Sequence, residues 1–187
     1  MDTTTTDLAL LGGRGLQRDS GAAGAQYLTF TLAGEEYGID ILKVQEIRGW
    51  QPVTKVPNSP AFVKGVMNLR GAIVPVIDLR LRFGLEAVAY TPTTVVIVVT
   101  VQGLTGPRVI GAVVDGVSDV LNLDEAAVQP PPDFGTAVHI EFISGLVTLE
   151  TGMVMLLDVD RLLSVEEMFA LEGVRATEPQ GAITPAV

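Results

Sequence analysis

Few side chains in this sequence could carry out catalysis or bind a metal. His139 is the one histidine and there is no cysteine, so neither a thiolate site nor a histidine metal set can be built. Ser118 and Ser144 lie outside any G-x-S-x-G pattern, in which a hydrolase exposes its nucleophile on a sharp turn. Asp115 and Asp119 could form a carboxylate pair for acid–base chemistry, but an acidic chain offers many such pairs. The sequence therefore predicts no enzyme, no metal and no cofactor, and an enzyme using these two aspartates stays open on composition alone.

The charge of the chain bears on its partners. The 187 residues include 22 acidic and 12 basic side chains, a net charge of −10, which argues against nucleic acid as a partner. Residues 43–82 hold seven basic and two acidic side chains, whereas residues 109–172 hold twelve acidic side chains and Arg161. Opposite poles favour oriented or head-to-tail association, although two halves of a surface can also differ in charge without any function.

The mean hydropathy of +0.41 raises the question of a membrane. The longest uncharged stretch, residues 87–107, has its apolar centre at Val95–Val99, which is strand length and far short of the roughly 20 residues that a spanning helix needs. The N-terminal residues lack the basic segment and the long apolar run of a signal peptide. We therefore expect a cytoplasmic protein without direct membrane insertion.

The elements that must position these residues are mainly strands, because Val, Ile and Thr are abundant and suit a pleated surface. Four hairpins are predicted, pairing Tyr27–Leu32 with Glu36–Ile39, Val66–Leu69 with Ile73–Ile77, Thr94–Gln102 with Val109–Val114, and Leu146–Leu149 with Met153–Val159. Pro75 should place its strand at a sheet edge or a bulge. A short C-terminal helix is predicted to begin at Ser164.

The body of the chain contains an internal repeat. Gly38–Ile41 aligns with Gly111–Val114, and Phe62–Gly71 aligns with Phe142–Gly152 after a short insertion. Each unit ends in an apolar strand that closes on an aspartate. The repeat predicts two similar β subdomains, each a closed or nearly closed barrel, with a groove where they meet. Residues 1–25 are expected to be a disordered tail, residues 26–170 the folded domain, and residues 171–187 the helix end and a second tail.

Three blocks of sequence resemble the CheW family of bacterial chemotaxis coupling proteins. They are residues 35–49, residues 60–80 and residues 113–121. The resemblance implies an all-β fold of two SH3-like, five-stranded barrel subdomains. It also implies a non-enzymatic adaptor that ties the cytoplasmic tips of chemoreceptors to the regulatory domain of the histidine kinase CheA, with further CheW copies as additional partners in rings beneath membrane-associated receptor arrays.

The resemblance also assigns roles to residues. Those expected at the receptor interface are Val44, Glu46, Arg70 and Val95. Those expected at the kinase interface are Gly49, Trp50, Val53, Lys55 and Pro57. Those expected to serve coupling or structure are Gly65, Asn68 and Gly71. From the residues alone, Val44 and Trp50 occupy loop or turn positions, where a packing role is the alternative to an interface role.

Two alternatives to this function stay open. The chain could be a CheW-like scaffold of a non-flagellar chemosensory pathway. It could also be a double β-barrel that binds a small molecule in the groove between its subdomains.

Overall fold

The computed structural model of the protein describes residues 24–133 and 141–164. Its strands are β1 (Ala25–Leu32), β2 (Glu35–Asp40), β3 (Val44–Gly49), β4 (Val63–Leu69), β5 (Ala72–Asp78), β6 (Val95–Gly103), β7 (Gly106–Val114), β8 (Gly116–Leu123), β9 (Ile143–Leu149) and β10 (Gly152–Leu157). Two single-turn helices, α1 (Leu79–Arg82) and α2 (Val159–Leu162), follow β5 and β10. Single 3₁₀ turns lie at Ile41–Lys43 and Glu125–Ala127. The predicted all-β class and its four hairpins are confirmed.

The predicted ends of the chain lie mostly outside the described residues. This applies to most of the expected N-terminal tail, to the helix predicted after Ser164, to residues 171–187 and to His139. At the N-terminal boundary, β1 begins at Ala25, one residue before the expected start of the folded domain.

The ten strands form two five-stranded sheets. Sheet A has the order β3-β6-β7-β5-β4, and sheet B has the order β8-β1-β2-β10-β9. In each sheet one pair is parallel, β5 with β7 and β2 with β10, and the other pairs are antiparallel. Single bridges, Thr54 to Val66 and Gln129 to Leu146, bring the two edges of each open ladder together. The two SH3-like subdomains expected from the resemblance are confirmed as open, five-stranded sheets.

Each subdomain is assembled from both repeat units. The first unit comprises β1–β5 with α1, and the second comprises β6–β10 with α2. Strands β1 and β2 of the first unit lie in sheet B, with β8, β9 and β10 of the second unit. Strands β6 and β7 of the second unit lie in sheet A, with β3, β4 and β5 of the first, so the two units exchange their first two strands. Sheet A is therefore the continuous segment 44–114, and sheet B is built from two separate segments.

The largest apolar cluster lies between the two sheets. It includes Phe30 from β1, Ile97 and Val99 from β6, Leu157 from β10 and Leu162 from α2, which are all at most 4% exposed. Burial of one such side chain stabilises the fold by roughly 1.5–3 kcal/mol. Three smaller clusters fill the other face of each sheet, which is the interior of each barrel. Because β6 contributes to both faces of sheet A, Val96–Val99 form a continuous buried run.

Pro75 does not lie at a sheet edge, but the expected alternative, a bulge, lies beside it: the β4–β5 register shifts between Val63, opposite Ile77, and Gly65, opposite Val76. Strand β5, which contains it, lies between β7 and β4. The residue opposite, Val66, uses both its N–H and its C=O in hydrogen bonds to Thr54, and pairing with β7 begins only at Val76. No paired residue therefore needs the N–H that proline lacks, so the strand can be central.

Candidate interaction surface

Strand β3 carries the first two residues expected at an interface. Val44 is the first residue of β3 and not a loop residue, so that part of the expectation is wrong. The register shifts between Val44, which faces Val99, and Glu46, which faces Val98. This bulge turns the two side chains to opposite faces of sheet A: Val44 packs half-buried against the cluster between the sheets, and Glu46 faces the barrel interior.

Glu46 is a carboxylate buried in a strand, only 7% exposed. Its Oε2 atom accepts a hydrogen bond from the Arg70 guanidinium, and its Oε1 atom lies 3.7 Å from Nε of Arg48. A buried carboxylate is costly unless it is paired, and here two cations supply the pairing. The family resemblance assigned Glu46 and Arg70 to one interface, and the structure brings the two side chains into contact.

Arg70 reaches Glu46 from the tight turn between β4 and β5. Arg70 has a φ of 50° and Gly71 a φ of 88°, both in the left-handed region. The turn is supported by Asn68, whose side-chain oxygen accepts a hydrogen bond of 2.8 Å from the N–H of Gly71. A non-glycine residue held in this conformation costs on the order of 1–3 kcal/mol. The equivalent turn in the second repeat unit, at Glu150 and Thr151, has no positive φ at either residue, so this strain belongs to the first unit alone.

Gly65 allows the edges of sheet A to meet. Its φ is 144°, and a Cβ added there would lie 2.1 Å from the carbonyl oxygen of Thr54. Thr54 and Val66 exchange two backbone hydrogen bonds of 3.0 and 2.8 Å at this point. Gly145 is the matching residue of the second unit, where an added Cβ would lie 2.4 Å from the Val128 side chain and 3.2 Å from the Gln129 carbonyl oxygen. Gly65 is therefore needed for close approach of the backbone, whereas the tightest contact at Gly145 is with a side chain.

The residues expected at the kinase interface begin at Gly49, the last residue of β3, and continue along the segment that follows it. Trp50 and Val53 are half-buried and pack with Val96 in the barrel interior, whereas Lys55 and Pro57 are exposed. The Trp50 ring lies 4.3 Å from that of Tyr90, centroid to centroid, with the planes at 54°. This contact supports the packing interpretation of Trp50 and leaves the exposed part of the segment open to a partner.

A shallow groove of about 220 Å³ runs between this segment and β4. One wall is Arg48, Gly49 and residues 51–54, and the other is Val66, Met67 and Asn68, with Val96 at the base. The groove thus includes Gly49 and Val53 of the set assigned to the kinase and Asn68 of the coupling set, whereas none of the residues assigned to the receptor lines it. Val95 lies elsewhere, opposite Gly49 at the far end of the β3–β6 ladder from Val44.

Tyr90 and Asp78 form a contact that the sequence did not indicate. Asp78 is 5% exposed, caps α1 by accepting from the N–H of Arg80, and accepts a 2.7 Å hydrogen bond from the Tyr90 hydroxyl. Burial and then this hydrogen bond raise the pKa of Tyr90 well above its usual value. The Nζ of Lys64 lies 5.5 Å from the Tyr90 ring centroid. The strand-ending aspartates of the repeat are therefore helix caps, since Asp158 caps α2 in the same way.

The described residues offer little for catalysis. Asp115 binds Arg80 and the N–H of Ala33, and Asp119 accepts from the N–H of Val120, so the two carboxylates have separate partners. In residues 24–133 and 141–164, no set of three or more acidic, histidine or cysteine side chains could hold a metal ion. No helix in that part of the chain is long and apolar enough to cross a membrane.

In the described part of the chain, the largest apolar cluster packs between the two sheets. A second shallow pocket, lined by Arg82 from the first subdomain and by Glu141, Phe142 and Arg161 from the second, also measures about 220 Å³. Cavities for drug-sized ligands are typically about 300–1,000 Å³, so these pockets give little support to a small-molecule barrel. The fold is a double-barrel β protein, and its surface carries a polar groove and paired charges. Proteins of this class are suited to contacts with other proteins.

Comparison with known proteins places the chain in a family. A family model described as the CheW-like domain matches residues 26–167, so the chain belongs to the CheW family. Chemotaxis protein CheW of Klebsiella aerogenes is 52% identical over 151 residues, which cover 81% of this chain and 89% of that protein. Chemotaxis protein CheW of Rhizobium meliloti is 38% identical over 144 residues, which cover 77% of this chain and 90% of that protein. The crystal structure of the scaffolding protein TtCheW from Thermoanaerobacter tengcongensis matches with a TM-score of 0.67 at 34% identity, covering 76% of this chain and 94% of that one.

Proposed function

We propose that this chain is a cytoplasmic chemotaxis adaptor that couples chemoreceptor tips to the histidine kinase CheA. The observation that carries the proposal is the match to the CheW-like domain over residues 26–167, together with 52% identity to a chemotaxis protein. Such an adaptor makes and breaks no covalent bond. It acts by holding receptor and kinase together, which raises their effective concentration even where each contact is weak.

The receptor is proposed to bind at β3 and the neighbouring turn. Glu46, Arg48 and Arg70 form a connected charge cluster whose carboxylate is buried and whose Arg70 side chain is 72% exposed. A cluster held in this way presents a fixed cation to a partner and loses little conformational freedom on binding. Val44 and Val95, on the other face of the same sheet, extend the proposed contact toward the junction with sheet B.

The kinase is proposed to bind along the segment from Gly49 to Pro57. Trp50 and Val53 anchor this segment in the barrel interior, so Lys55 and Pro57 are displayed from a held backbone. The coupling residues Gly65, Asn68 and Gly71 lie on β4 and its turn, across the groove from this segment. Gly49 of the kinase set and Val95 of the receptor set face each other in the β3–β6 ladder, so the two proposed interfaces adjoin.

The distribution of charge supports oriented assembly with the kinase or with other CheW copies. Residues 44–114, which include sheet A, carry seven basic and three acidic side chains. The described residues that include sheet B, 24–40, 116–133 and 141–164, carry eleven acidic side chains and Arg161. A basic subdomain of one molecule would therefore favour the acidic subdomain of its neighbour, and added salt should weaken the contact.

To control the kinase, the adaptor must bind its active and inactive arrangements with different affinities, because equal affinity would not shift the equilibrium between them. The test is reconstitution of this protein with the cognate kinase and receptor-containing membranes, following kinase autophosphorylation with and without attractant. We expect strong activation that attractant removes. Val44→Asp should weaken receptor binding and spare kinase binding, with Leu42→Asp as a control at a neighbouring residue that is 88% exposed.

Two results would contradict the proposal. If the kinase neither responds to the protein nor binds it, the proposal of an adaptor function is refuted. If a kinase of a non-flagellar pathway binds and the flagellar one does not, the chain is the scaffold of that other pathway. Loss of folding in Val44→Asp would instead mean that Val44 acts as a core residue, so Val44→Thr serves as the milder variant.

A further inference from the structure

The chain passes between the two sheets at only two places in its described part. The first is Ile41–Lys43, between β2 of sheet B and β3 of sheet A. The second is the single residue Asp115, between β7 of sheet A and β8 of sheet B. Because both connections are short, their conformation limits how the two sheets can sit against each other.

An ion pair holds the first connection. Nζ of Lys43 lies 2.8 Å from Oδ2 of Asp160, the second residue of α2. The other oxygen, Oδ1, accepts a 2.8 Å hydrogen bond from the N–H of Gln102 in the β6–β7 hairpin. The Lys43 and Asp160 side chains are 29% and 31% exposed. One carboxylate thus ties the connection, the helix after sheet B and a hairpin of sheet A together.

A matching ion pair holds the second connection. The Arg80 guanidinium, on the second residue of α1, binds Oδ2 of Asp115. The same oxygen accepts a 2.8 Å hydrogen bond from the N–H of Ala33 in the β1–β2 turn. The N–H of Asp115 donates to the carbonyl of Thr31 at 3.1 Å. This pair therefore repeats the first arrangement at the equivalent place, with sheets A and B exchanged.

The two pairs have opposite polarity. At the first connection the cation is on the connection and the anion is on the helix, and at the second the order is reversed. If α1 and α2 exchanged places, Arg80 would face Lys43, and Asp160 would face Asp115. Like charges would then repel, so each helix suits only one of the two connections.

We propose that the Lys43–Asp160 ion pair is a positioning element that holds the start of β3, and with it Val44, in the orientation needed to bind a receptor. Lys43 immediately precedes Val44, whose N–H closes the 3₁₀ turn by donating to the carbonyl of Ile41. Release of Lys43 would free this turn and let Val44 move on the cluster between the sheets. This inference rests on the proposed receptor-binding function, and Lys43 and Asp160 act through Val44, not by contact with the receptor.

The test compares Lys43→Met, which keeps the apolar stem, and Asp160→Asn, which keeps an acceptor for Gln102. Arg161→Met, which alters a cation on the same helix, is the matched control, and Lys43→Arg is the conservative rescue. The readouts are affinity for a soluble receptor signalling fragment, affinity for the kinase regulatory domain, and hydrogen exchange of the Val44 amide. We expect Lys43→Met and Asp160→Asn each to weaken receptor affinity and speed Val44 exchange by about two- to fivefold.

The double variant should be no weaker than either single variant, because both remove the same interaction. Kinase affinity should be unchanged in all variants, and the control and the rescue should behave as the unaltered protein. Unchanged Val44 exchange in Lys43→Met and Asp160→Asn would overturn the proposal, and so would faster exchange with unchanged receptor affinity. If the unaltered protein fails to bind the receptor fragment, the proposed function fails first, and Val44 exchange alone then decides whether the ion pair holds the turn.

Discussion

Gly65→Ala should destabilise the first barrel far more than a glycine substitution usually does. An alanine there would place its Cβ 2.1 Å from the Thr54 oxygen and 2.8 Å from the Thr54 carbonyl carbon, which no rotamer change can relieve. The φ of 144° lies in a region that side chains rarely adopt, at a cost on the order of 1–3 kcal/mol. If the Thr54–Val66 bridge opens to relieve the clash, two backbone hydrogen bonds are lost, each worth about 1 kcal/mol.

These terms give a loss in unfolding free energy of about 3–5 kcal/mol for Gly65→Ala. For a domain of this size, that corresponds to a fall in melting temperature of roughly 6–20 °C. Thermal unfolding followed by circular dichroism measures the change, and the fluorescence of Trp50, the one tryptophan of the chain, reports on the barrel interior beside the bridge.

Gly71→Ala is the matched control, because Gly71 also has a positive φ but an added Cβ would have nothing within 4 Å. It should lower the free energy of unfolding by only about 1–2 kcal/mol, which is the cost of placing alanine in the left-handed conformation. If Gly65→Ala and Gly71→Ala proved equally destabilising, the clash with Thr54 would not be the reason for the glycine, and the reasoning from close approach would be refuted.

Three further predictions concern buried charge and its partners. Arg70→Ala should lower the unfolding free energy by about 1–3 kcal/mol because it leaves Glu46 undercompensated, and adding Glu46→Gln should recover part of that loss in urea unfolding. The pKa of Tyr90 is raised well above its usual value on folding, so its contribution to stability is present below about pH 10 and is lost as pH rises further. Tyr90→Phe should flatten this fall in urea unfolding between about pH 10 and 12, and an unchanged slope would contradict it. Asp78→Ala should cost about 2–3 kcal/mol, since it removes both a helix cap and the Tyr90 partner. Asp158→Ala should cost about 1 kcal/mol, since it removes a cap and an exposed ion pair with Arg161 that contributes little, and equal losses in melting experiments would be evidence against the buried contact.

Local sequence patterns were sufficient for the four hairpins and the eight strands that form them. Alternation of apolar residues along β1, with Leu28, Phe30 and Leu32 buried, follows from the two-residue period of a strand. The tight turns at Ala33–Gly34 and Arg70–Gly71 each contain a glycine, the residue that left-handed conformations favour, although the residue before it also has a positive φ. Strands β3 and β8 were not predicted, because their burial patterns do not alternate cleanly and a bulge interrupts the pairing of each with its neighbour.

The candidate interaction residues were assigned by resemblance, and the structure explains how several of them are connected. Glu46 and Arg70 are 24 residues apart in sequence, and only the arrival of the β4–β5 turn beside β3 brings them together. Val44 and Glu46, two residues apart, lie on opposite faces because of a bulge that no sequence period reveals. The face of sheet A on which each side chain lies therefore depends on the register of β3 against β6, and not only on their place in one strand.

Residue types and their order were enough to predict the all-β class, the internal repeat and the separation of charge, because local conformational preference and solvation act on them directly. The family was indicated separately, by the resemblance of three blocks of sequence. Only the tertiary structure decided which strands share a sheet, and with it the exchange of β1 and β2 for β6 and β7 between the repeat units. Two similar units can pair with themselves or with each other at nearly the same local cost, so the choice depends on contacts between distant residues, such as Lys43 with Asp160 and Arg80 with Asp115.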